Sequence, residues 1–485
     1  MCGIVGIAST TNVNQQVYDA LGLLQHRGQD STGIATVDGP HIHIRKGEGM
    51  VREAFRTRDM RSLLGTTGLG HVRYATRGEA QNELEAQPFY VNAPYGIVLV
   101  HNGNLTNTRE LEVELATQDM RHTNTGSDTE MLLNVLGSEL QKQVSGAGLD
   151  AEQVFTAVSR VHERVRGSYA VIALIAGHGL LAFRDPYGIR PLVLGRREGQ
   201  RGRTEWMVAS ESVALTASGY ELVRDVDPGE AIMIGLDGEL QARQTHASPT
   251  LVPCAFEYVY LARPDSVMNG INVYESRLRL GERLADTIEQ YTPSGNIDVV
   301  MPIPDSSRPA AMEVARKLGI EYREGYYKNR YVGRTFIMPG QEQRKKSVRE
   351  KLNALASEFE GKNVLVVDDS IVRGTTSREI VEMTRNVGAN SVTFTSAAPP
   401  VRYPHVYGIN MPSRNELIGA GRSIPEIREQ LDSDHLVYQE VDDMVRGITD
   451  GTSLTELEAS CFTGDYITGD VNEEYLAWLE ATQLS

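Results

Sequence analysis

The 485-residue chain has few cysteines, no long apolar run and no excess of basic residues. Its three cysteines, Cys2, Cys254 and Cys461, are too few and too scattered for a disulfide framework or a cysteine-rich zinc site, and they fit a reducing cytoplasm. No apolar stretch is long enough to span a bilayer, and the N-terminus is polar within about a dozen residues, so neither a membrane helix nor a signal peptide is predicted. The formal net charge of −16 argues against general nucleic-acid binding.

The composition that remains, 40% hydrophobic and 23% charged, supports two or three globular domains. Strand-like runs separated by long helical patterns in the first half favour a layered α+β domain. In the second half, apolar runs at 297–302, 363–367 and 391–396 alternate with helices and predict a parallel α/β sheet. The Pro- and Gly-containing stretch 237–253 is predicted to separate these domains. Their predicted extents are 2–240 and 250–485.

Local patterns predict individual elements in the first half. Runs of β-branched residues predict strands, and the 3.6-residue period predicts helices. The predicted strands are Ile4–Ala8, Ile34–Val37, Gly70–Tyr74, Ile97–Val100, Ala170–Ile175, Leu192–Leu194 and Ala231–Ile234. The predicted helices are Val17–Leu24, Thr129–Leu140 and Glu152–Val165.

Cys2 stands at the start of an apolar, strand-like run. If Met1 is removed, Cys2 carries both a thiol and a free α-amine. An α-amine, whose unperturbed pKa is about 7.7–8.0, can accept the proton of its own thiol. No histidine falls into an obvious catalytic spacing, and this arrangement needs none. A lone cysteine is more often a small buried core residue; the terminal position before a strand favours the nucleophile here.

The segment Val364–Ser377 is the most specific pattern in the chain. A buried strand ends on Asp368 and Asp369, and a turn rich in Gly, Thr and Ser leads into a helix predicted from about residue 377. Thr376 and Glu379 have the spacing of a capping box. Backbone N–H groups at such a turn and at the helix N-terminus form a cradle for a phosphate. The two carboxylates suit ribose hydroxyls and Mg²⁺. An acidic pair alone at a strand end is usually just solvated, but the complete pattern predicts a sugar-phosphate site.

This pattern resembles the phosphoribosyltransferase signature, which binds 5-phosphoribosyl-1-pyrophosphate. The loop Pro304–Ser307, an ordinary turn if taken alone, resembles the pyrophosphate loop of that family. The resemblance implies one Mg²⁺ ion per subunit, held by Ser306, Asp368 and Asp369. The implied substrate-binding residues are Asp368, Asp369, Ser370, Arg373, Gly374, Thr375, Thr376 and Ser377.

A cation-rich segment, Arg323–Lys351, lies between these two motifs. Its glycines and proline predict mobility. A solvated basic loop is the plain interpretation of such a run. In an acidic protein, beside a polyanion site, we favour a lid that closes over pyrophosphate. Its cations include Lys328, Arg330, Arg334, Arg344, Lys345, Lys346 and Arg349.

In the first half, several polar residues suit a glutamine site, which needs one fixed cation and one fixed anion. Arg73 ends a predicted strand and suits bidentate binding of a carboxylate; Asp128 opens a predicted helix and supplies the anion. The Asn102 amide and the Gly103 N–H suit an oxyanion hole for thiolate attack. Taken singly, Arg73 is a surface ion pair, Asp128 a helix cap and Asn102-Gly103 a hairpin turn.

With Cys2 and the segment His26–Ser31, these residues resemble the class II, N-terminal-nucleophile glutamine amidotransferases. The amidophosphoribosyltransferase family couples such a half to a phosphoribosyltransferase in this order, and the resemblance covers nearly the whole chain. It implies an α+β domain, an αββα sandwich of the N-terminal-nucleophile hydrolase type, followed by an α/β domain with a parallel sheet. The implied glutaminase residues are the catalytic Cys2, Asn102 and Gly103 and the glutamine ligands Arg73, Asp128 and Arg27.

The resemblance also implies the reaction. The amide nitrogen of glutamine is transferred to phosphoribosyl pyrophosphate, giving phosphoribosylamine, glutamate and pyrophosphate, the first step of de novo purine synthesis. Purine nucleotides are expected as feedback inhibitors, a homotetramer or homodimer as the assembly, and the cytoplasm as the location. No nucleic-acid or membrane partner is expected.

Some family members carry a propeptide and a 4Fe–4S cluster held by four cysteines. Here only Met1 precedes Cys2, and only Cys254 and Cys461 lie outside the active site, so that ligation is impossible and the chain resembles the cluster-free branch.

Two alternatives remain. A glucosamine-phosphate synthase shares the glutaminase half, but its sugar-isomerase domain has no use for an acidic pair above a phosphate cradle. A non-catalytic regulator would use the phosphoribosyl fold as an effector sensor, but no basic recognition helix is evident and Cys2 would have no purpose.

Overall fold

The computed structural model describes residues 2–74, 83–144, 148–291, 296–328, 352–411 and 413–483. Two antiparallel sheets occupy the first half, and a five-stranded parallel sheet occupies the second. Within the described residues, no helix combines the length and the hydrophobicity that crossing a membrane requires.

The first half contains thirteen described strands. They are β1 (Gly3–Ala8), β2 (Ser31–Asp38), β3 (His41–Glu48), β4 (Thr67–Arg73), β5 (Phe89–Val91), β6 (Ile97–Leu105), β7 (Gly167–Ile175), β8 (Gly179–Arg184), β9 (Val193–Glu198), β10 (Thr204–Ala209), β11 (Glu221–Asp225), β12 (Glu230–Gly235) and β13 (Leu240–Gln244). One sheet has the order β11-β9-β10-β1-β4-β2-β3, and the other has the order β13-β12-β8-β7-β6-β5. The strand that follows Cys2 is therefore the central strand of its sheet.

Helices cover the outer faces of both sheets. Those described are α1 (Asn14–Leu23), α2 (Val51–Ala54), α3 (Thr57–Ser62), α4 (Thr108–Thr117), α5 (Asp128–Gln143), α6 (Ala151–Arg164) and α7 (Ser212–Ala217). Between the sheets, buried side chains such as Ile4, Val100 and Ile172 form one core. Helices α1 and α7 pack on the first sheet, and α4, α5 and α6 pack on the second. These layers are the predicted αββα sandwich.

The second half is built on alternating strands and helices. Its strands are β14 (Val267–Met268), β15 (Ile271–Asn272), β16 (Val299–Pro302), β17 (Glu321–Tyr322), β18 (Tyr326–Lys328), β19 (Leu352–Ala354), β20 (Asn363–Asp368), β21 (Ser391–Ser396) and β22 (His435–Tyr438). Its α-helices are α8 (Val273–Tyr291), α9 (Arg308–Leu318), α10 (Ala356–Phe359), α11 (Thr375–Asn386), α12 (Ile424–Leu431), α13 (Val441–Thr449), α14 (Ser460–Thr463) and α15 (Glu473–Gln483).

The parallel sheet has the order β17-β16-β20-β21-β22. Pro302 of β16 lies beside Val367 of β20, so the carboxyl ends of these two strands meet. Strands β16 and β20 are each followed by a loop and a helix. Helix α9 is terminated by Gly319, whose φ of +66° is the left-handed conformation that glycine adopts readily.

Buried polar contacts join the two halves. The carboxylate of Glu257, on a π-helix (Glu257–Leu261), binds the guanidinium groups of Arg27 and Arg190. Ser168 and Arg190 also donate to the carbonyl oxygen of Tyr407, at 2.8 and 2.7 Å. The junction therefore consists of buried charged and polar groups. Because these groups are removed from solvent, each is stabilised by its hydrogen-bond or ion-pair partner across the junction.

In the first half, the sequence patterns missed the edge strands β3, β5, β11 and β13 and also the interior strands β8 and β10. Strands β3, β11 and β13 carry mostly polar, solvent-facing residues, so their apolar alternation is weak. Strand β13 lies inside the stretch 237–253 that was predicted to be a linker; it pairs with β12 at the edge of the second sheet.

Candidate active site

Cys2 directly precedes the central strand β1, and only 6% of its surface is exposed to solvent. Its backbone N donates to Asn102 Oδ1 at 3.1 Å, and its carbonyl oxygen accepts from Arg27 Nε at 3.0 Å. Its Sγ lies 3.8 Å from the carbonyl oxygen of Tyr74. The backbone nitrogen of Cys2 is thus held against Asn102 of β6, and its sulfur lies beside the residue that follows β4.

Asn102 and Gly103 lie inside β6, paired with β7, and do not form a hairpin turn. Asn102 is fully buried, and its Nδ2 has no hydrogen-bond partner in the described part of the chain. An unsatisfied buried donor of this kind costs about 1–3 kcal/mol, so its position needs an explanation. Gly103 is required by space, because a Cβ there would lie 2.0 Å from the carbonyl oxygen of Ser168.

Arg73 and Asp128, the predicted cation and anion, are both nearly buried. Arg73 ends β4, and its Nη2 binds Glu85 Oε2 at 2.7 Å. Asp128 begins α5, and its Oδ2 accepts the backbone N–H of Leu105 at 3.0 Å. That bond ties Asp128 to β6, two residues beyond Gly103.

Arg27 is surrounded by protein groups. It is fully buried, and its Nε, Nη1 and Nη2 already donate to Cys2, Glu211 and Glu257. These contacts tie Arg27 to Cys2 and to two buried carboxylates. Its role as a glutamine ligand stays a prediction. Glu211 also accepts from the N–H of Arg263 and from the hydroxyl of Ser266, so this pair connects Cys2 to the chain beyond the sandwich.

The acidic pair lies where the sequence predicts it. Asp368 is the last residue of β20, and Asp369 accepts hydrogen bonds from the hydroxyls of Ser306 and Ser370. Burial, and then the charge of Asp369, raise the pKa of Asp368 well above its usual range. Burial also raises the pKa of Asp369, against the hydrogen bonds that lower it. Two buried carboxylates whose pKa values rise together form a site suited to a cation.

The predicted phosphate cradle begins at Gly374, which precedes α11 with a φ of +75°. A Cβ at this position would lie 2.2 Å from Ile418 Cδ1, so only glycine fits without a shift. Thr375, Thr376 and Ser377 form the first turn of α11, where N–H groups lack intrahelical partners. The helix therefore begins two residues earlier than predicted, and the predicted Thr376–Glu379 capping box is absent: Gly374 is the N-cap, with no side-chain cap.

Arg373, the remaining predicted substrate ligand, precedes this turn. Its Nε lies 3.3 Å from Glu416 Oε1, and about a third of its side chain is exposed. Its guanidinium therefore sits at the rim of the cradle.

Comparisons with known proteins agree with this division of the chain. A glutamine amidotransferase domain model matches residues 71–217, and a phosphoribosyl transferase domain model matches residues 272–408. The amidophosphoribosyltransferase of Pseudomonas aeruginosa is 54% identical over 481 residues, covering 99% of this chain and 95% of that protein. That of Escherichia coli is 52% identical over 482 residues, with the same coverage of both chains. This chain belongs to the amidophosphoribosyltransferase family.

Solved structures lead to the same family. A glutamine phosphoribosylpyrophosphate amidotransferase from Bacillus subtilis, complexed with ADP and GMP, superposes with a TM-score of 0.85 at 36% identity, covering 97% of this chain and 98% of that one. The predicted family, fold class and enzyme class are confirmed. As a member of the amidophosphoribosyltransferases, the chain is an enzyme that uses glutamine to aminate phosphoribosyl pyrophosphate in purine biosynthesis.

Sequence reasoning missed several buried partners in this amidophosphoribosyltransferase. Glu85, Glu211 and Glu257 hold the arginines of the site, and Glu211 and Glu257 lie far along the chain from Arg27. Arg277 of α8 is another: it donates to the carbonyl oxygens of Tyr258 and Ala262, and its charge acts on Asp369. No local signal in the sequence assigns these partners.

The predicted lid, Arg323–Lys351, lies largely beyond the part of the chain that the structure describes. Most of Arg323–Lys351, including every cation named above except Lys328, lies outside the described residues. Lys328 ends β18, and its Nζ lies 3.6 Å from Asp305 Oδ2 in the loop after β16.

Proposed function

We propose that residues 2–240 hydrolyse glutamine with Cys2 as the nucleophile and that residues 250–485 transfer the released ammonia to phosphoribosyl pyrophosphate. The observation that carries this proposal is the hydrogen bond from the Cys2 backbone N to Asn102 Oδ1. After removal of Met1, that nitrogen is an α-amine attached to the residue that bears the thiol. Asn102 orients the amine, and the amine accepts the proton of the thiol.

Asn102 then has a second task. Its Oδ1 faces the amine, and its buried Nδ2 has no partner among the described residues. The negative charge of the tetrahedral intermediate needs such a donor, held in place before the reaction begins. We assign this donor role to Asn102 Nδ2 and to the backbone N–H of Gly103. Collapse of the intermediate releases ammonia, and water hydrolyses the resulting γ-glutamyl thioester.

The two charged groups on the α-carbon of glutamine require partners of opposite charge. Arg73, held by Glu85, is assigned to the α-carboxylate, and Asp128 is assigned to the α-ammonium group. The buried positions of both residues favour these roles, because a buried charge prefers a fixed counter-charge over water.

In the second domain, the donors fit a hard divalent cation. Ser306, Asp368 and Asp369 offer oxygens only, and the raised pKa values of both carboxyls favour a site that attracts positive charge. We assign Mg²⁺ to these residues, and the ion would neutralise charge on the departing pyrophosphate. The loop from Ser370 to Ser377 binds the 5′-phosphate through N–H groups at the start of α11.

Ammonia must reach this site without mixing with solvent, because ammonium is not a nucleophile and phosphoribosylamine is unstable in water. The dry, ion-paired junction at Arg27, Glu257 and Arg190 supports a closed path between the two domains.

Regulation and assembly follow the family. The solved relative that was complexed with ADP and GMP supports purine nucleotides as feedback inhibitors. A homotetramer or homodimer and a cytoplasmic location complete the proposal.

A two-substrate assay tests the reaction. Release of pyrophosphate from phosphoribosyl pyrophosphate is measured with glutamine, with ammonia and with neither. Amination of fructose 6-phosphate, the rival acceptor, is measured separately. We expect both nitrogen sources to support turnover of phosphoribosyl pyrophosphate and neither to support turnover of fructose 6-phosphate. Turnover with fructose 6-phosphate, or ammonia-dependent activity without any glutamine-dependent activity, would contradict the proposed function.

A further inference from the structure

Two cysteines have no part in the proposed mechanism, and one of them belongs to a buried polar cluster. Cys254, His405 and Glu458 offer one donor atom each, and these three atoms all lie within 4.8 Å of one another. Cys254 Sγ is 3.3 Å from His405 Nε2, and the same nitrogen is 3.1 Å from Glu458 Oε2. The three residues are separated by about 150 and about 50 positions, so no spacing in the sequence announces the cluster.

The backbone around the cluster holds the three donors in place. Cys254 and Glu458 lie side by side in a parallel bridge, in which Ala255 N donates to Glu458 O at 2.9 Å. His405 belongs to the loop that ends at Tyr407, whose carbonyl oxygen is bound by Ser168 and Arg190. The backbone therefore fixes all three candidate metal ligands, and none of them lies at a free loop tip. A preorganised metal site requires such fixed ligands.

The cluster is also incompletely satisfied. Glu458 Oε2 is buried and makes no hydrogen bond within the described residues, although it lies next to His405 Nε2. Its other oxygen, Oε1, accepts the N–H of Ser460 at 2.9 Å. The cation that acts on the cluster, Arg190, is already paired with Glu257 at 3.0 Å. A buried carboxylate oxygen therefore lies beside a thiol and an imidazole nitrogen, and the Nε2 proton of His405 is shared between these two neighbours.

We propose that Cys254, His405 and Glu458 bind one zinc ion. Thiolate, imidazole and carboxylate are the ligands that zinc prefers in proteins, and three such ligands leave the fourth tetrahedral position open to a thiol or to water. Cys461 follows Glu458 on the same segment: its carbonyl oxygen accepts the N–H groups of Arg402 and Tyr403, on the loop that carries His405, and the charges of Glu458 and Cys254 act on its thiol. One thiolate and one carboxylate together balance the charge of a Zn²⁺ ion.

Binding has a chemical cost that the site can meet. The Cys254 thiol loses its proton to solvent, and His405 carries its proton on Nδ1 so that Nε2 is free. Nδ1 accepts the Tyr407 N–H at 3.2 Å in this structure, and the zinc-bound form gives up that long contact. Nδ1–H and the Tyr407 N–H then become two buried donors without this acceptor, a cost that stays below the binding free energy of a structural zinc site.

The position of the site in the fold has a structural consequence. His405 lines a cavity with Asn104, Val406 and Met411, between the loop 404–411 and the C-terminal helix α15. Zinc would bind together the interdomain segment at 254, the loop behind Gly103 and the C-terminal segment at 458. Removal of the ion is therefore expected to lower the unfolding temperature of the whole enzyme.

The test uses the full-length enzyme with Cys2→Ser as the background, so that Cys254 and Cys461 are the only thiols. Zinc content is measured by elemental analysis after dialysis against a zinc-buffered solution. Binding is followed by competition with a chromophoric chelator, and cobalt replaces zinc for absorption spectroscopy. We expect about one zinc ion per chain and a thiolate-to-cobalt charge-transfer band with tetrahedral d–d bands.

Three variants in this background, Cys254→Ser, His405→Asn and Glu458→Gln, are each expected to weaken zinc binding by about 100-fold or more. The matched control, His435→Asn, removes an exposed histidine and should retain the ion. Circular dichroism checks folding. If the background protein takes up no zinc and shows no cobalt–thiolate band, the three side chains are a metal-free polar cluster and the proposal is wrong. That outcome does not depend on the folding of any variant. Retention of zinc by a folded Cys254→Ser variant would overturn the proposal equally.

Discussion

The backbone nitrogen of Cys2 and the side-chain oxygen of Asn102 are 3.1 Å apart, although 100 residues separate them in the chain. Asn102 lies in one sheet of the sandwich and Cys2 directly precedes a strand of the other, so the stacking of the sheets creates this contact. The same asparagine leaves its Nδ2 buried and unpartnered within the described residues. One side chain thus holds the proposed base and offers a donor to the proposed oxyanion.

Removal of the thiol tests the nucleophile. Cys2→Ser should reduce glutamine-dependent synthesis of phosphoribosylamine to background, because a serine hydroxyl is a far weaker nucleophile beside the same amine. Synthesis with high ammonia should persist, since the second site is intact. Pyrophosphate release is measured with each nitrogen source; loss of both activities would contradict the assignment.

Removal of the oxyanion donor tests Asn102. Asn102→Asp keeps the shape and the acceptor for Cys2 but replaces Nδ2 with an oxygen. The glutaminase kcat should fall by about 10²–10³-fold, as is typical for the loss of one such donor. Ammonia-dependent synthesis in the same preparation is the internal control. An unchanged glutaminase kcat would exclude a role for Nδ2.

Neutralisation of the acidic pair tests the phosphoribosyl site. Asp368→Asn combined with Asp369→Asn should lower synthesis by about 10²-fold or more with either nitrogen source, because the pyrophosphate would lose its cation. Glutamine hydrolysis measured on its own should continue. Normal ammonia-dependent synthesis in the double variant would refute the role given to these carboxylates.

Glu257 tests the buried junction. Glu257→Gln leaves Arg27 and Arg190 without one of their counter-charges, and breaking a buried pair on one side typically costs about 3–5 kcal/mol. The free energy of unfolding in urea should fall accordingly. The matched control is Glu163→Gln, which breaks the exposed pair with Arg160 and should leave unfolding unchanged. Equal stability of the two variants would mean that the junction contributes little.

His162 predicts a pH dependence. Burial, and then His246, lower the pKa of this histidine to about 3, and its ring nitrogens contact Tyr169 and Thr245. The unfolded chain therefore binds one more proton between about pH 6.5 and pH 3. Stability should decrease as the pH falls through that window, by at most about 1.4 kcal/mol per pH unit from this group.

His162→Gln keeps a polar side chain and cannot titrate, so its stability should depend less on pH over the same window. Urea unfolding at several pH values measures the slope. Parallel slopes for the parent and the variant would show that His162 is not the group responsible.

Local sequence was sufficient to predict the order of elements around the acidic pair. The residues from Asp368 to Ser377 follow the predicted order of strand, acidic pair, turn and helix, because neighbouring residues build that segment. The start of α11 was the exception: Gly374, with its positive φ, is the N-cap, and the Thr376–Glu379 spacing was misleading. The buried contacts of Arg27 could not be predicted either, since its partners Glu211 and Glu257 lie 184 and 230 residues away.

The amino-acid order alone determined the two domain types, and it pointed to the proposed nucleophile Cys2 and to the proposed sugar-phosphate motif, because each depends on contiguous residues. Only the tertiary structure decided which buried polar groups face one another: Arg27 with Glu257, Asn102 with Cys2, and Cys254 with His405 and Glu458. A charge or a polar atom removed from water must have a partner, and the chain supplies that partner from whichever strand or loop packing brings near. Such pairings have no period and no spacing, so no local pattern reveals them.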